Sequence, residues 1–300
     1  MRPADSPMFL LLAVGGLIGL VFPLGLMAAT AGVDPAVWAL TISGGTAVVL
    51  AVALTLRRRR VTMTRQFLRY CAVAGLVSFA APNLLIFQFI PALGAGFVAL
   101  LFTLSPVLTL LFSALMRVCA PSALGVAGIA IGFAGAFVLT WSKGASGPAG
   151  GYVVVLASLA IPLLLAIGNV YRTMDWPEGA NPIALAVGAH AAASAGLLAW
   201  LAATGGIGRI AGLAGIPGLV LAQLAASSLQ FLLFFRLQQV GGPVYLSQIG
   251  YVAASVGLGS GMIFLGERYG MATWSGAAVV AVGVAMTTLA QIRAAGVAAK

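Results

Sequence analysis

Charge is what this 300-residue sequence has least of. It carries 15 lysines and arginines, 5 acidic residues and 1 histidine, so that 7% of the chain is charged. A soluble domain has about 25%. That scarcity excludes an ordinary solvated surface. Only two cysteines occur, Cys71 and Cys119, without the spacing or the partners of a metal site. They are expected near cytoplasmic helix ends, where thiols stay reduced. No Asp or Glu falls at the centre of an apolar run, which argues against a carboxylate-driven proton or sodium pump. With one histidine and no buried acid, no convergent nucleophile, base or metal set suggests itself. No metal and no cofactor is expected.

What is present is apolar: 62% hydrophobic residues and 39 glycines. The charges sit at breaks between runs of about 20 apolar residues, the length a helix needs to cross a hydrocarbon core of roughly 30 Å. Ten spans are predicted, at 8–29, 36–56, 70–90, 92–116, 121–141, 151–172, 182–203, 215–236, 243–264 and 270–291. Barrel strands would instead be about ten residues of alternating polarity. The short loops leave no room for a soluble domain. Ala29-Thr30-Ala31 imitates a cleavage site, but the apolar stretch before it is long and its n-region weak, so the first span is expected to be retained.

The net charge of +10 would suit nucleic acid, but its distribution points to a bilayer. With the N-terminus in the cytoplasm, twelve basic residues fall inside: Arg2, the run Arg57–Arg60, Arg65, Arg69, Arg117, Arg172, Arg236, Arg293 and Lys300. Three fall outside: Lys143, Arg209 and Arg268. This is the positive-inside bias of a bacterial-type inner-membrane protein with both termini cytoplasmic. The Arg57–Arg60 run reads as a topology anchor against anionic lipid. Arg172 and Arg236 read as snorkelling anchors at span ends, either of them able to guide a carboxylate-bearing solute.

The Gly/Pro/Ser-rich link from Ser142 to Gly151 divides the spans five and five, giving units 1–146 and 147–300. At an offset of 148, Gly94, Gly128, Gly135 and Thr140 fall on Gly242, Gly276, Gly283 and Thr288. A unit with an odd number of spans, repeated, lies upside down relative to its copy. Inverted repeats of this kind recur in secondary transporters, with the substrate site near the midplane. The fold class expected is therefore an all-α membrane protein of ten transmembrane helices in two inverted five-helix repeats.

Three stretches resemble the ten-span drug/metabolite transporter superfamily of the EamA type. Pro91–Phe97 followed by Leu104-Ser105-Pro106-Val107 is similar to that family's third-to-fourth-span segment. Leu237–Gly242 is similar to its exit from span eight, and Phe264-Leu265-Gly266-Glu267-Arg268 to the element that closes span nine. The chain departs from the pattern with Cys119 where the first half's own glutamate would fall, and with Ala254 in place of a proline. The resemblance implies a cavity lined by spans one, three, four, six, eight and nine, export of amino acids or related metabolites, and alternating access.

Polar side chains inside spans are costly and tend to face the interior or a water-filled cavity. Gln223, Ser227 and Gln230 share one face of span eight, with Phe231 and Phe234 beside it. Tyr245, Gln248, Tyr251 and Ser255 lie close to one face of span nine. Ser78 and Asn83 on span three, Thr103 and Ser105 on span four and Asn169 on span six complete the candidates. Such amides, hydroxyls and rings suit a neutral or zwitterionic metabolite of amino-acid size. The competing reading is interhelical glue, worth about 0.6 kcal/mol per contact. Pro23, Pro82, Pro106 and Pro162 kink cavity-lining spans. Glu267 and Arg268, with Pro106, are candidate gate or helix-end residues. His190, on span seven, is expected to be structural or to sit at the lipid interface.

The expected function is a secondary transporter moving a small polar metabolite, with the bilayer and that solute as its partners, no nucleic acid, and a monomer as its unit. The alternatives are a channel-like or structural membrane subunit and, less favoured, an intramembrane enzyme. For the last, Ser260 has Leu258 where an intramembrane serine protease needs glycine.

Overall fold

The computed structural model describes residues 6–56, 63–117, 122–145 and 151–298. Arg2, the Arg57–Arg60 run, Cys119, Lys300 and half of the Ser142–Gly151 link lie outside those residues. Every described element is helical, and ten helices are long and apolar enough to cross a membrane, the pattern of a multi-pass membrane protein. They are α1 (Pro7–Thr30), α2 (Pro35–Leu56), α3 (Arg65–Leu93), α4 (Ala95–Leu115), α5 (Ala123–Ala145), α6 (Gly151–Met174), α7 (Pro182–Ala203), α8 (Pro217–Val240), α9 (Gln248–Leu265) and α10 (Met271–Ala298). The predicted spans all recur. α10 ends seven residues later than the apolar pattern gave, and α3 starts five residues earlier. Thr64 caps it, its side chain accepting from the Phe67 backbone N–H, so the basic first turn with Arg65 and Arg69 is helical too.

α8 and α9 form one unbroken helical stretch, Pro217–Leu265. At 1.5 Å per residue a straight helix of 49 residues would run about 73 Å, more than twice the hydrocarbon thickness. It does not run straight. Arg209, just before α8, bonds Asp34 in the α1–α2 turn, and Glu267, just after α9, bonds the start of α4 at the same end of the bundle. The chain therefore reverses between Val240 and Gln248.

Close backbone approaches hold the bundle together. α1 packs on α9 in parallel, where a Cβ on Gly15 or Gly19 would collide with Val252 or Val256. α5 packs antiparallel on α10 through Gly128, Gly135, Gly276 and Gly283. A Cβ on Gly128 would lie 2.7 Å from the Gly283 carbonyl oxygen, and one on Gly135 would lie 3.0 Å from that of Gly276. Lipid tails are as apolar as these surfaces, so association depends on such tight backbone contact.

Candidate functional site

Three helices lose regular geometry at the middle of the bundle, and proline is the cause each time. Pro82 cannot bond the Ser78 carbonyl, and α3 loosens into a π-helical segment over Ala74–Ala80 in which the Ala81 N–H reaches back five residues to Leu76. Pro106 cannot donate to the Phe102 carbonyl, which accepts from the Ser105 N–H instead as α4 tightens to a 3-10 turn at Phe102–Leu104. Pro162 frees Ser158, and α6 is interrupted at Leu159. Glycines on neighbouring helices sit against two of the carbonyls that lose their regular helical partner. A Cβ on Gly250 of α9 would lie 2.6 Å from the Phe102 oxygen, and one on Gly257 would lie 3.6 Å from the Gly19 oxygen, which Pro23 leaves free.

The irregular segments of α3 and α4 border a cavity, whereas the α6 interruption lies at a separate pocket with Leu104 and Val107. The cavity walls come from α1 (Phe22), α2 (Ile42), α3 (Ser78, Phe79, Asn83), α4 (Phe102, Ser105), α6 (Asn169, Arg172), α8 (Gln230, Phe231, Phe234) and α9 (Ile249, Gly250). About 100 Å³ is open to the centres of water-sized molecules, against roughly 10–15 Å³ for one water, so a small solute fits. Asn169 organises the polar side. Its Nδ2 donates to Ser105 Oγ (3.4 Å) and Thr109 Oγ1 (3.3 Å), while its Oδ1 accepts from Arg172 Nη2 at 2.7 Å. Ser78 Oγ, Gln230 Oε1 and Arg172 Nε are buried without a hydrogen-bond partner in the protein.

Arg172 corrects the sequence expectation. It does not snorkel: it is 3% exposed, with its guanidinium carbon 5.5 Å from the Phe79 ring centre and 5.2 Å from that of Phe234. α6 continues to Met174, so Arg172 lies a half-turn inside the helix, on the face of Asn169 three residues earlier. That spacing was visible in the sequence; the two phenylalanines from α3 and α8 were not. His190 is also not at a lipid interface. It is fully buried, its ring 4.5 Å from Phe79 and 4.0 Å from Phe231, backing the cavity's aromatic wall.

Of the predicted site residues, Ser78, Asn83, Ser105, Asn169 and Gln230 meet in this cavity. Gln223 and Ser227 are buried away from it, Ser227 donating to the Gln223 carbonyl. Gln248 and Tyr251 do share a face of α9, but that face turns away from the cavity. They line a groove between α9 and α10 with Thr103, Ser255 and Thr288. The groove is larger, about 590 Å³, because it opens outward past exposed Ser255 and Leu289. The reason for the correction is steric: the cavity side of α9 is the one with Gly250, which alone allows the approach to Phe102. The Tyr245 side chain lies outside the described residues. Pro106 acts through the 3-10 turn it imposes, which sets the Phe102 carbonyl against Gly250.

Beyond the cavity the bundle is tied at both ends. At one, the Glu267 carboxylate accepts from the Ala95 N–H (2.6 Å) and Gly96 N–H (2.9 Å) and from the Tyr269 hydroxyl. Positive φ at Gly94 and Gly266 shapes the two turns that bring these groups together. Burial, and then the adjacent carboxylate, pushes the Tyr269 phenol up, so it remains a donor. Arg268 is exposed. Asp34 and Arg209 pair nearby at 2.6 Å. At the opposite end Asp175 pairs with Arg69 and accepts from the Tyr171 hydroxyl at 2.6 Å. The Arg69 hydrogen bond holds the Asp175 carboxyl below its ordinary range. Tyr70 stacks on Tyr171 and meets Trp176 edge to face beneath the cavity at this end.

No protein-family profile and no curated protein matches the chain. Among solved structures, a crystal structure of a protein 19% identical in sequence superposes with a TM-score of 0.59, covering 93% of this chain and 96% of the other. At that identity the likeness establishes a shared fold across nearly the whole of both chains.

Proposed function

We propose that this chain is a secondary transporter of the ten-span drug/metabolite type, moving a small polar metabolite such as an amino acid across a bacterial-type inner membrane by alternating access. One observation carries the reading. α1, α3, α4, α6, α8 and α9, with Ile42 of α2, converge on one cavity whose wall carries Ser78 Oγ, Gln230 Oε1 and Arg172 Nε, three of the buried polar atoms without a protein partner, in a chain whose described residues form no other domain. Polar atoms left unpaired beside a space that holds a small solute suit a transient polar guest.

The two-fold relation between the halves is part of the proposal. Under the offset of 148, Gly128 corresponds to Gly276 and Gly135 to Gly283. The contacts Gly128–Gly283 and Gly135–Gly276 then exchange with each other, as a two-fold axis between α5 and α10 requires. α2 likewise packs on α7, its own counterpart. In this reading the end with Arg65, Arg69 and Arg236 faces the cytoplasm, as do both termini.

The test is reconstitution in liposomes with a panel of labelled amino acids and related metabolites. Counterflow, in which internal unlabelled solute drives uptake of label, is expected for at least one of them. A channel cannot produce it, and its absence across the panel would overturn the proposal.

A further inference from the structure

We infer that Arg172 is the anchor for a carboxylate, so that the cavity takes monoanionic or zwitterionic organic acids with an apolar body and discriminates against the corresponding amides, which lack the carboxylate. The physiological setting rests on the transport reading above; the binding chemistry does not.

The first support is an account of the acids. Among the described residues there are four, and none reaches Arg172. Asp34 pairs with Arg209, Asp175 pairs with Arg69, Glu267 is held by backbone N–H groups and Tyr269, and Glu178 is exposed. A guanidinium stays charged in proteins, and a buried charge is costly without a partner. Two aromatic rings offset part of that cost, but a ring does not accept the in-plane pair of hydrogen bonds that a guanidinium offers. Arg172 spends one donor on Asn169, while its Nε has no partner.

The second support is pre-organisation. Asn169 is itself fixed by Ser105 and Thr109, and the rings of Phe79 and Phe234 flank the guanidinium carbon. The side chain is thus held at the cavity wall before any ligand arrives. A planar fork held this way matches the two oxygens of a carboxylate. A single cation does not balance a phosphate dianion. The rest of the wall, from Phe22, Ile42 and Phe231, suits an aliphatic or aromatic body, with Asn83 and Gln230 left to meet an ammonium or hydroxyl group.

The experiment uses the full chain purified in detergent and follows thermal stabilisation against ligand concentration. Two matched pairs are compared: 3-phenylpropionate with 3-phenylpropionamide, and phenylalanine with phenylalaninamide. The acids are expected to stabilise at concentrations roughly 10- to 100-fold lower than the amides, the range for a hydrogen-bonded charge. Arg172→Gln should bring the ratio close to one, and Arg172→Lys should retain part of it. If Arg172→Gln does not fold, the wild-type ratio and the lysine variant decide. Equal stabilisation by acid and amide, stabilisation by neither acid, or saturation by chloride alone with nothing added by either acid overturns the inference. Counterflow of phenylalanine is measured separately. Acid-selective binding without any flux across the metabolite panel removes the transport reading and leaves this one. Flux without acid preference does the reverse.

Discussion

α9 presents two faces that differ in almost every respect except their depth in the bundle. One carries Ile249, Gly250 and Gly257, has no hydrogen-bonding side chain among these three, and packs against the carbonyl of Phe102 at the cavity. The other carries Gln248, Tyr251 and Ser255 and opens on a groove beside α10. By polarity alone the second face looks like the binding site. By enclosure it is the first. Polar side chains on a single span therefore identify a site less well than the places where proline and glycine let two backbones meet.

Substitutions can break that comparison. The largest effect is expected from Gly250→Val, which drives a branched side chain into the Phe102 carbonyl. Overpacking of this kind costs about 1–3 kcal/mol, and should lower the yield of monodisperse protein and its melting temperature in detergent. Gly259→Ala on the same helix, with open space around it, should leave both unchanged. Next comes Asn169→Ala, which removes the partner of Arg172 and releases Ser105 and Thr109. Counterflow should fall roughly tenfold, in line with losing a hydrogen bond to a charged group, with expression retained. Gln230→Ala should reduce it about twofold to fivefold, as for a neutral hydrogen bond. Gln248→Ala and Tyr251→Phe, on the groove face, should change it by less than about twofold, within the range of ordinary surface substitutions. A larger loss at Gln248 than at Asn169 would reverse the assignment of the two faces.

The spans were legible in the sequence because bilayer thickness imposes a length and burial imposes an apolar composition, both of which leave marks residue by residue. The basic start of α3 was not, since Arg65 and Arg69 look like loop residues until the Thr64 cap and the Asp175 pair are seen. Half of the candidate cavity was legible too. Asn83, Ser105, Asn169 and Gln230 each followed from being polar in a span. Which way α9 turns was hidden, because helix rotation is set by contacts with α1 and α4 far away in the chain. Arg172 was hidden for a related reason. An arginine near a span end has two solutions, out to the headgroups or in towards a partner, and only the position of Phe79 and Phe234 selects between them.

The parallel packing of α1 on α9 also has a consequence for synthesis. The Gly15 and Gly19 notches are synthesised more than about two hundred residues before Val252 and Val256, which fill them. At about 5–20 residues per second that interval is roughly 10–50 s. Throughout it the first helix stands in the lipid with its notched side uncovered, open to insertion machinery or to a neighbouring nascent helix. Assembly of this bundle is therefore closed by one of its last helices, and a chain truncated before α9 leaves its earliest helix without its main partner.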